Sequence, residues 1–322
     1  MRLVMFGTGP FAAPTFRALF ETEHAVVGLV TQPARVVRGK VVAATSPLRD
    51  EAARRGTPVF DPEDVNSAES RASLAAWNAD MFVVADYGQI LSAETLGLAP
   101  RGAINLHGSL LPKYRGAAPI NWAIYRGETE TGVSTIHMTP KVDAGPVLAQ
   151  ARTPIDPDEN AVELETRLAD LGAPLVVETI RSLEAGNAAA IPQDLALATK
   201  ARRLRKTDGA IDWSRTALEI KNQVRALQPW PRASTDWLRA GAAPMRLIFG
   251  RVDARTLASP AAPGRVVEAD KQKLLIAAGE GAVSILQVQP AGRQMMAVAD
   301  FLRGHPVRPG EMLGQTPGEA GG

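Results

Sequence analysis

The sequence predicts an α/β protein in two parts: an N-terminal doubly wound, mostly parallel sheet, then a small C-terminal β-barrel of the oligonucleotide-binding type. Three observations predict it. Apolar β-branched runs alternate with amphipathic stretches through the front of the chain, the rhythm of a parallel sheet covered on both faces. Beyond residue 200 the apolar runs are short, about five in number, and separated by Gly and Pro. The 322 residues suffice for two domains of ordinary size.

Residues 2–6 read as the first strand, Gly7-Thr8-Gly9-Pro10 turns, and 15–22 read as a helix. A β-branched run at 25–30 makes the second strand, 47–55 a helix and 81–85 a buried strand. Segments 102–107 and 133–138 continue the series, with a helix over 120–125 between them. A long helix fills 161–183, with Asp158 and Asn160 as candidate caps. The small and polar stretch from Gly186 reads as a linker, placing the boundaries at 1–186, 187–207 and 208–307. The back domain should hold one amphipathic helix at 214–227 and strands at 235–239, 245–249, 265–268, 274–277 and 283–288. A last helix follows at 295–302, and a Gly- and Pro-rich tail, 308–322, should fray.

Composition removes whole classes of chemistry. There is no cysteine, so disulfides, a thiolate nucleophile and cysteine-ligated metal are excluded. The four histidines, His24, His107, His137 and His305, have no helical metal-ligand spacing, and no metal is expected. No apolar run is long enough to cross a membrane, and the N-terminus reads as a strand rather than a signal peptide. A cytoplasmic protein without membrane contact is the expectation. The net charge of +2 hides an imbalance: −6 over residues 1–199 and +8 over 200–322. A basic back half suits a polyanionic partner, although a chance imbalance of solvated side chains reads the same way.

The chemistry concentrates at 103–112, Ala-Ile-Asn-Leu-His-Gly-Ser-Leu-Leu-Pro. Asn105 and His107 stand two apart at a strand end and so project to one side, and Asp143 sits in a Gly-flanked turn downstream. An amide donor, an imidazole and a carboxylate suit acyl transfer without a covalent enzyme intermediate. Ordinary turn chemistry with a structural histidine is the plainer alternative. Gly7-Thr8-Gly9 falls short of a dinucleotide fingerprint, because Ala12 stands at the last glycine position and no acid ends the second strand. Arg35, Arg38 and Lys40 form a basic loop that suits phosphate contact or a mobile surface equally. Lys200, Arg202, Arg203, Arg205 and Lys206 favour nucleic acid beside a barrel. Trp213, Trp230 and Trp237 suit base stacking or core packing.

These pieces together resemble the methionyl-tRNA formyltransferases. The run from Asn105 through Ile120 is similar to that family's central motif, which also marks the broader 10-formyltetrahydrofolate-dependent formyltransferases. Thr131-Gly132-Val133, Met138 and Asp143-Ala144-Gly145 continue it, as do Thr31-Gln32-Pro33 and Arg38-Gly39-Lys40. Ile211-Asp212-Trp213-Ser214, Pro229-Trp230-Pro231 and Gln289-Pro290-Ala291-Gly292 narrow the likeness to the tRNA enzymes. The resemblance implies a Rossmann-like formyltransferase domain and a tRNA-binding barrel. It implies formyl transfer from 10-formyltetrahydrofolate to the α-amine of methionyl initiator tRNA, in support of translation initiation, by a protein expected to be a monomer. Asn105, His107 and Asp143 would be catalytic. Asp86, Tyr87, Gly88, Gln89, Ile90, Ser109, Leu110, Leu111, Pro112 and Val142 would hold the folate. Arg35, Arg38, Lys40 and the 200–206 cations would meet tRNA.

Three features depart from the family pattern. Gly9 stands where the first turn usually has Pro, Asp86 replaces a small apolar residue, and the basic loop is one residue short. Two rival readings share much of the sequence. A small-molecule N-formyltransferase would keep the Asn/His/Asp set and need no basic back half. A non-catalytic tRNA-binding module would keep the basic half and need no such set.

Overall fold

The computed structural model describes residues 1–33, 35–37, 40–42, 46–239 and 241–314, with backbone only over 35–42. The chain divides into two compact units. The first holds Met1–Pro119, Glu130–Pro154 and Glu163–Arg202; the second holds Ile120–Thr129, Ile155–Val162 and Arg203–Gly322.

The chain begins β1 (Arg2–Gly7), α1 (Ala13–Leu19), β2 (Ala25–Val30), the hairpin β3 (Arg35–Val37) and β4 (Lys40–Val42), α2 (Pro47–Arg55) and β5 (Val59–Phe60). Next come α3 (Ala68–Ala75), β6 (Met81–Ala85), α4 (Ala93–Leu96), β7 (Ala103–His107), β8 (Arg115–Gly116) and α5 (Pro119–Tyr125). Then follow β9 (Glu130–His137), β10 (Val147–Pro154), α6 (Ala161–Glu184) and β11 (Lys200–Ala201). The main sheet has the order β10-β9-β7-β6-β1-β2-β5. It is parallel from β7 to β5, and β9 and β10 add an antiparallel edge. Strands β1 and β6 are buried on both faces, which is why they read as unbroken apolar runs. From β1 the chain winds outward through β2 and β5, then returns to β6 on the other side. The crevice beyond β1 and β6 is thus a topological switch point, where open α/β sheets bind ligands.

The second unit wraps a seven-stranded sheet around α7 (Ala217–Ala226) and α8 (Val298–Gly304). Its strands are β12 (Ala233–Leu238), β13 (Met245–Arg255), β14 (Val266–Ala269), β15 (Leu274–Ala277), β16 (Ala282–Pro290), β17 (Met296–Ala297) and β18 (Met312–Gly314). The path runs β14-β15-β16-β13-β12-β18 with antiparallel neighbours. Strand β18 closes it: Met312–Gly314 pairs with β12, while Leu313 N–H donates to Gly264 and Val266 N–H to Glu311. Trp213, Ile220, Phe249 and Phe301 fill the interior.

Four expectations are corrected here. The tail does not fray from Arg308, because the barrel needs 310–314 to close, and only the part after Gly314 lies outside the described residues. The stretch read as a linker contributes β11, which pairs with β8 in the first unit. Helix α7 begins three residues late, since Asp212 and Ser214 form a turn and Thr216 with Glu219 makes a capping box. The last helix starts at Val298, its first expected turn being spent on β17.

Candidate active site

Strand β7 delivers Asn105 and His107 to one side of the sheet, with Asn105 in register with Val84 and Ile136, and His107 with Ser134. Leu106 turns to the other side against α6, close enough that a Cβ at Gly172 would lie 2.6 Å from its methyl. Asn105 is half-buried and its amide makes no hydrogen bond to the described residues. His107 is 6% exposed, and its Nε2 lies 2.9 Å from the Tyr114 carbonyl oxygen. A carbonyl only accepts, so Nε2 carries a hydrogen and donates it. Nδ1 then faces Asp143, whose Oδ2 is 3.7 Å away. That gap is too long for a hydrogen bond and right for an ion pair once the ring is protonated.

The carboxylate is held independently of the imidazole. Asp143 lies in the left-handed region, φ 48°, and its Oδ2 accepts from Gly116 N–H at 2.8 Å. Gln193 Nε2 donates to the carbonyls of Asp143 and Gly145 at 2.9 and 2.7 Å. Arg115 in turn donates to Gln193 Oε1 through Nε and a terminal nitrogen, at 3.0 and 2.7 Å. Tyr114, which anchors His107, is fixed by its N–H to Thr199 Oγ1 at 2.8 Å. Gln193 and Thr199 both come from the stretch read as a linker. Sequence reasoning missed them, since each is a lone polar residue without periodicity.

The loop after His107 is organised around Ser134, which is fully buried. Its Oγ donates to Ser109 O at 2.6 Å and accepts from Leu111 N–H at 3.0 Å. Gln150 Nε2 donates to Leu111 O and to the same Oγ. Ser109 itself has no exposed surface and donates to Lys113 O, so its hydroxyl builds the loop. Tyr87 is 3% exposed, edge-on to Phe6, and its carbonyl takes the Thr8 hydroxyl and the Gln32 amide. Burial pushes its hydroxyl upward. Gln89 spends its amide on Val65 N–H and the Pro62 carbonyl, stapling the turn to its neighbour. Leu111 is buried, while Leu110 and Pro112 are half-buried. Ile90, 64% exposed, and Val142, 52% exposed, present free apolar surface, and Gly88 presents backbone at φ 88°.

At the switch point Asp86 lies over Gly9, whose N–H it engages. Solvent reaches this carboxylate, yet protein walls it on most sides, and the resulting desolvation pushes it up to about 6. Glu165, on α6, is pushed up to about 7 by burial first and then by the charge of Asp86. Sequence reasoning singled out Gly9 and Asp86 separately and missed Glu165.

The candidate polyanion contacts divide between the units. Arg38 and the side chains of Arg35 and Lys40 lie outside the described residues. Lys200 and Arg202 are exposed on the first unit, and Arg203, Arg205 and Lys206 on the second. Of the tryptophans, Trp213 and Trp237 are core at 5% exposure each, whereas Trp230 is 54% exposed. Among the described residues, Glu23, His24 and Glu184 bring three ligand atoms within 4.8 Å of one another. They lie where β2 begins and α6 ends, at the opposite end of the strands from His107. No described helix is long and apolar enough to cross a membrane.

The chain is a formyl transferase by family. The family model "Formyl transferase" matches residues 1–180, and "Formyl transferase, C-terminal domain" matches 203–306. More particularly, the chain belongs to the methionyl-tRNA formyltransferase family. It is 44% identical to the methionyl-tRNA formyltransferase of Solibacter usitatus over 315 residues, covering 98% of this chain and 99% of that protein. It is 43% identical to that of Rhodopirellula baltica over 325 residues, covering 97% and 96%. The fold is also that of an N-formyltransferase from Helicobacter canadensis solved with folinic acid and dTDP-3-aminofucose, at TM-score 0.64 and 17% identity over 91% of this chain and 99% of that one.

Proposed function

We propose that the chain transfers the formyl group of 10-formyltetrahydrofolate to the α-amine of methionyl initiator tRNA, supporting translation initiation. The observation that carries this reading is the Asn105–His107–Asp143 set in a chain alike over almost its full length to methionyl-tRNA formyltransferases. The first unit is the catalytic part and the second the main tRNA-binding part. Ile90, Val142 and the backbone at Gly88 offer the apolar and amide surface that a folate ring needs, and the Helicobacter canadensis neighbour was solved with a folate.

The bound folate supplies an activated formyl carbon. Asn105, whose amide is unspent on protein, donates to the charge that develops on the formyl oxygen. His107 keeps Nε2–H on Tyr114 and works through Nδ1: it takes a proton as the amine attacks the formyl carbon, and returns a proton to the departing folate N10 as the bond from that nitrogen to the formyl carbon breaks. Asp143 stabilises the resulting imidazolium across the 3.7 Å gap. Each contact strengthens only as charge develops, so each acts on the transition state.

The test is transfer of labelled formyl from 10-formyltetrahydrofolate, with methionyl initiator tRNA, methionyl elongator tRNA and free methionine as acceptors. Rapid transfer to the initiator alone supports the reading. Transfer to an amino sugar and to no tRNA would replace it with the small-molecule reading.

A further inference from the structure

Trp230 is the one tryptophan of the second unit that its core leaves outside. It is 54% exposed, and its ring makes no aromatic or cation contact with the described residues. An indole costs solvation when left in water, and the barrel has already buried Trp213 and Trp237.

The turn that carries it is fixed at both ends. Arg232 N–H donates to Leu227 O at 3.0 Å, and Arg232 Nε donates to Pro229 O at 3.2 Å. The other arm of that guanidinium holds Gln289 Oε1 at 2.6 Å, and Gln289 Nε2 donates to Arg293 O at 2.7 Å. On the near side the backbone of Gly209 lies against Arg232, so close that a Cβ there would meet its carbonyl oxygen at 2.2 Å. Gly209 ends the short turn that begins at Lys206, directly after Arg205. The hydrogen bonds and this contact therefore place the segments carrying Arg205, Lys206, Arg232 and Arg293 next to the turn that mounts the indole. Asp208 is the acid on the same turn, and its carboxylate is occupied by the Arg205 N–H.

We propose that Trp230 is a stacking platform for an unpaired base of the bound tRNA, with the surrounding cations holding the flanking phosphates. The inference rests on the reading of the second unit as a tRNA-binding part. A flat exposed aromatic face on a turn flanked by cation-bearing segments matches nucleic acid and no neutral partner, since stacking serves the base and the cations serve the backbone. Every base offers a π-face, so the platform would contribute affinity without sequence preference.

Binding of uncharged initiator tRNA is measured at several salt concentrations for the parent protein, Trp230→Ala, Trp230→Phe and Lys206→Ala. Trp230→Ala should weaken binding about ten-fold at every salt concentration, leaving the slope of log K against log salt unchanged. Lys206→Ala should lower that slope by about one. Trp230→Phe should restore most of the affinity, and the tryptophan emission that it removes should be the part quenched by tRNA in the parent. A parent that binds tRNA while Trp230→Ala binds equally well overturns the proposal and spares the reading of the second unit. A parent that binds no tRNA overturns both. If Trp230→Ala melts early, the emission comparison decides: quenching that is the same in the parent and Trp230→Phe overturns the proposal.

Discussion

Gly9 and Asp86 share one volume: a Cβ at position 9 would lie 1.9 Å from Asp86 Oδ2. Side-chain carbons never come so close, so the carboxylate can occupy this recess only because residue 9 is glycine. The two positions are therefore sterically coupled. Gly9→Ala should destabilise the protein by no more than about 1 kcal/mol, because the Asp86 carboxylate that a Cβ would meet is the end of a solvent-reached side chain that can turn away. In the Asp86→Ala background the same substitution should be close to neutral. A double-mutant cycle in urea measures this, and additive effects would show the two positions to be independent.

The pair Asp86 and Glu165 makes stability depend on pH in an unusual direction. Both carboxyls are raised, to about 6 and about 7, so the folded protein holds more protons than the unfolded chain between about pH 4 and 7. Their contribution is best at acid pH and is lost as pH rises through 6 to 7. Glu165→Gln should then raise the melting temperature by a few degrees at pH 8 and leave it unchanged near pH 4.5, a gain of about 1 kcal/mol after allowance for solvent access. Thermal melts across that range check it, and an equal shift at both pH values would exclude titration as the cause.

The catalytic assignment predicts separable effects. Asn105→Ala and His107→Ala should each lower kcat by roughly 10²–10³ while tRNA binding persists. Rapid-quench formylation beside filter binding reads both quantities. A His107→Ala protein with parental kcat would remove the imidazole from the mechanism.

Gln193 is a positioning residue, since its amide holds the Asp143 turn and touches nothing that reacts. Gln193→Ala should lower kcat about ten-fold or more with KM little changed, because the Asp143 carboxylate drifts from Nδ1 of His107. Gln193→Glu should fare no better. Its carboxylate can still accept from Arg115 and cannot donate to the two carbonyls. Rescue by Gln193→Glu would place the role in the Arg115 contact instead.

The sheet was legible because β1 and β6 are apolar on both faces, β7 alternates an apolar face with the Asn105–His107 face, and all three end at turn residues. Strand β10 was not, since as a half-exposed edge it mixes Gln150 and Arg152 with alanine and valine. The start of α7 was written in Thr216 and Glu219 and was passed over for the earlier Ser214. In the site, Asn105, His107 and Asp143 carry chemistry that a strand-end pattern displays. The inward packing of Tyr87 and Ser109 was not legible, because a turn motif does not say which side chains the fold turns inward. Gln193, Thr199 and Glu165 reach the site through tertiary folding alone, and local sequence holds no trace of it.

Strand β18 is a keystone. Residues 310–314 bond to β12 on one flank and to the Gly264–Val266 segment on the other, so one short ribbon satisfies two strand borders at once. Removing it would leave both borders with unpaired amides and carbonyls, a ready template for another chain. A protein shortened to residue 307 should offer both bare borders to a second copy, and its cohesion would become a function of concentration.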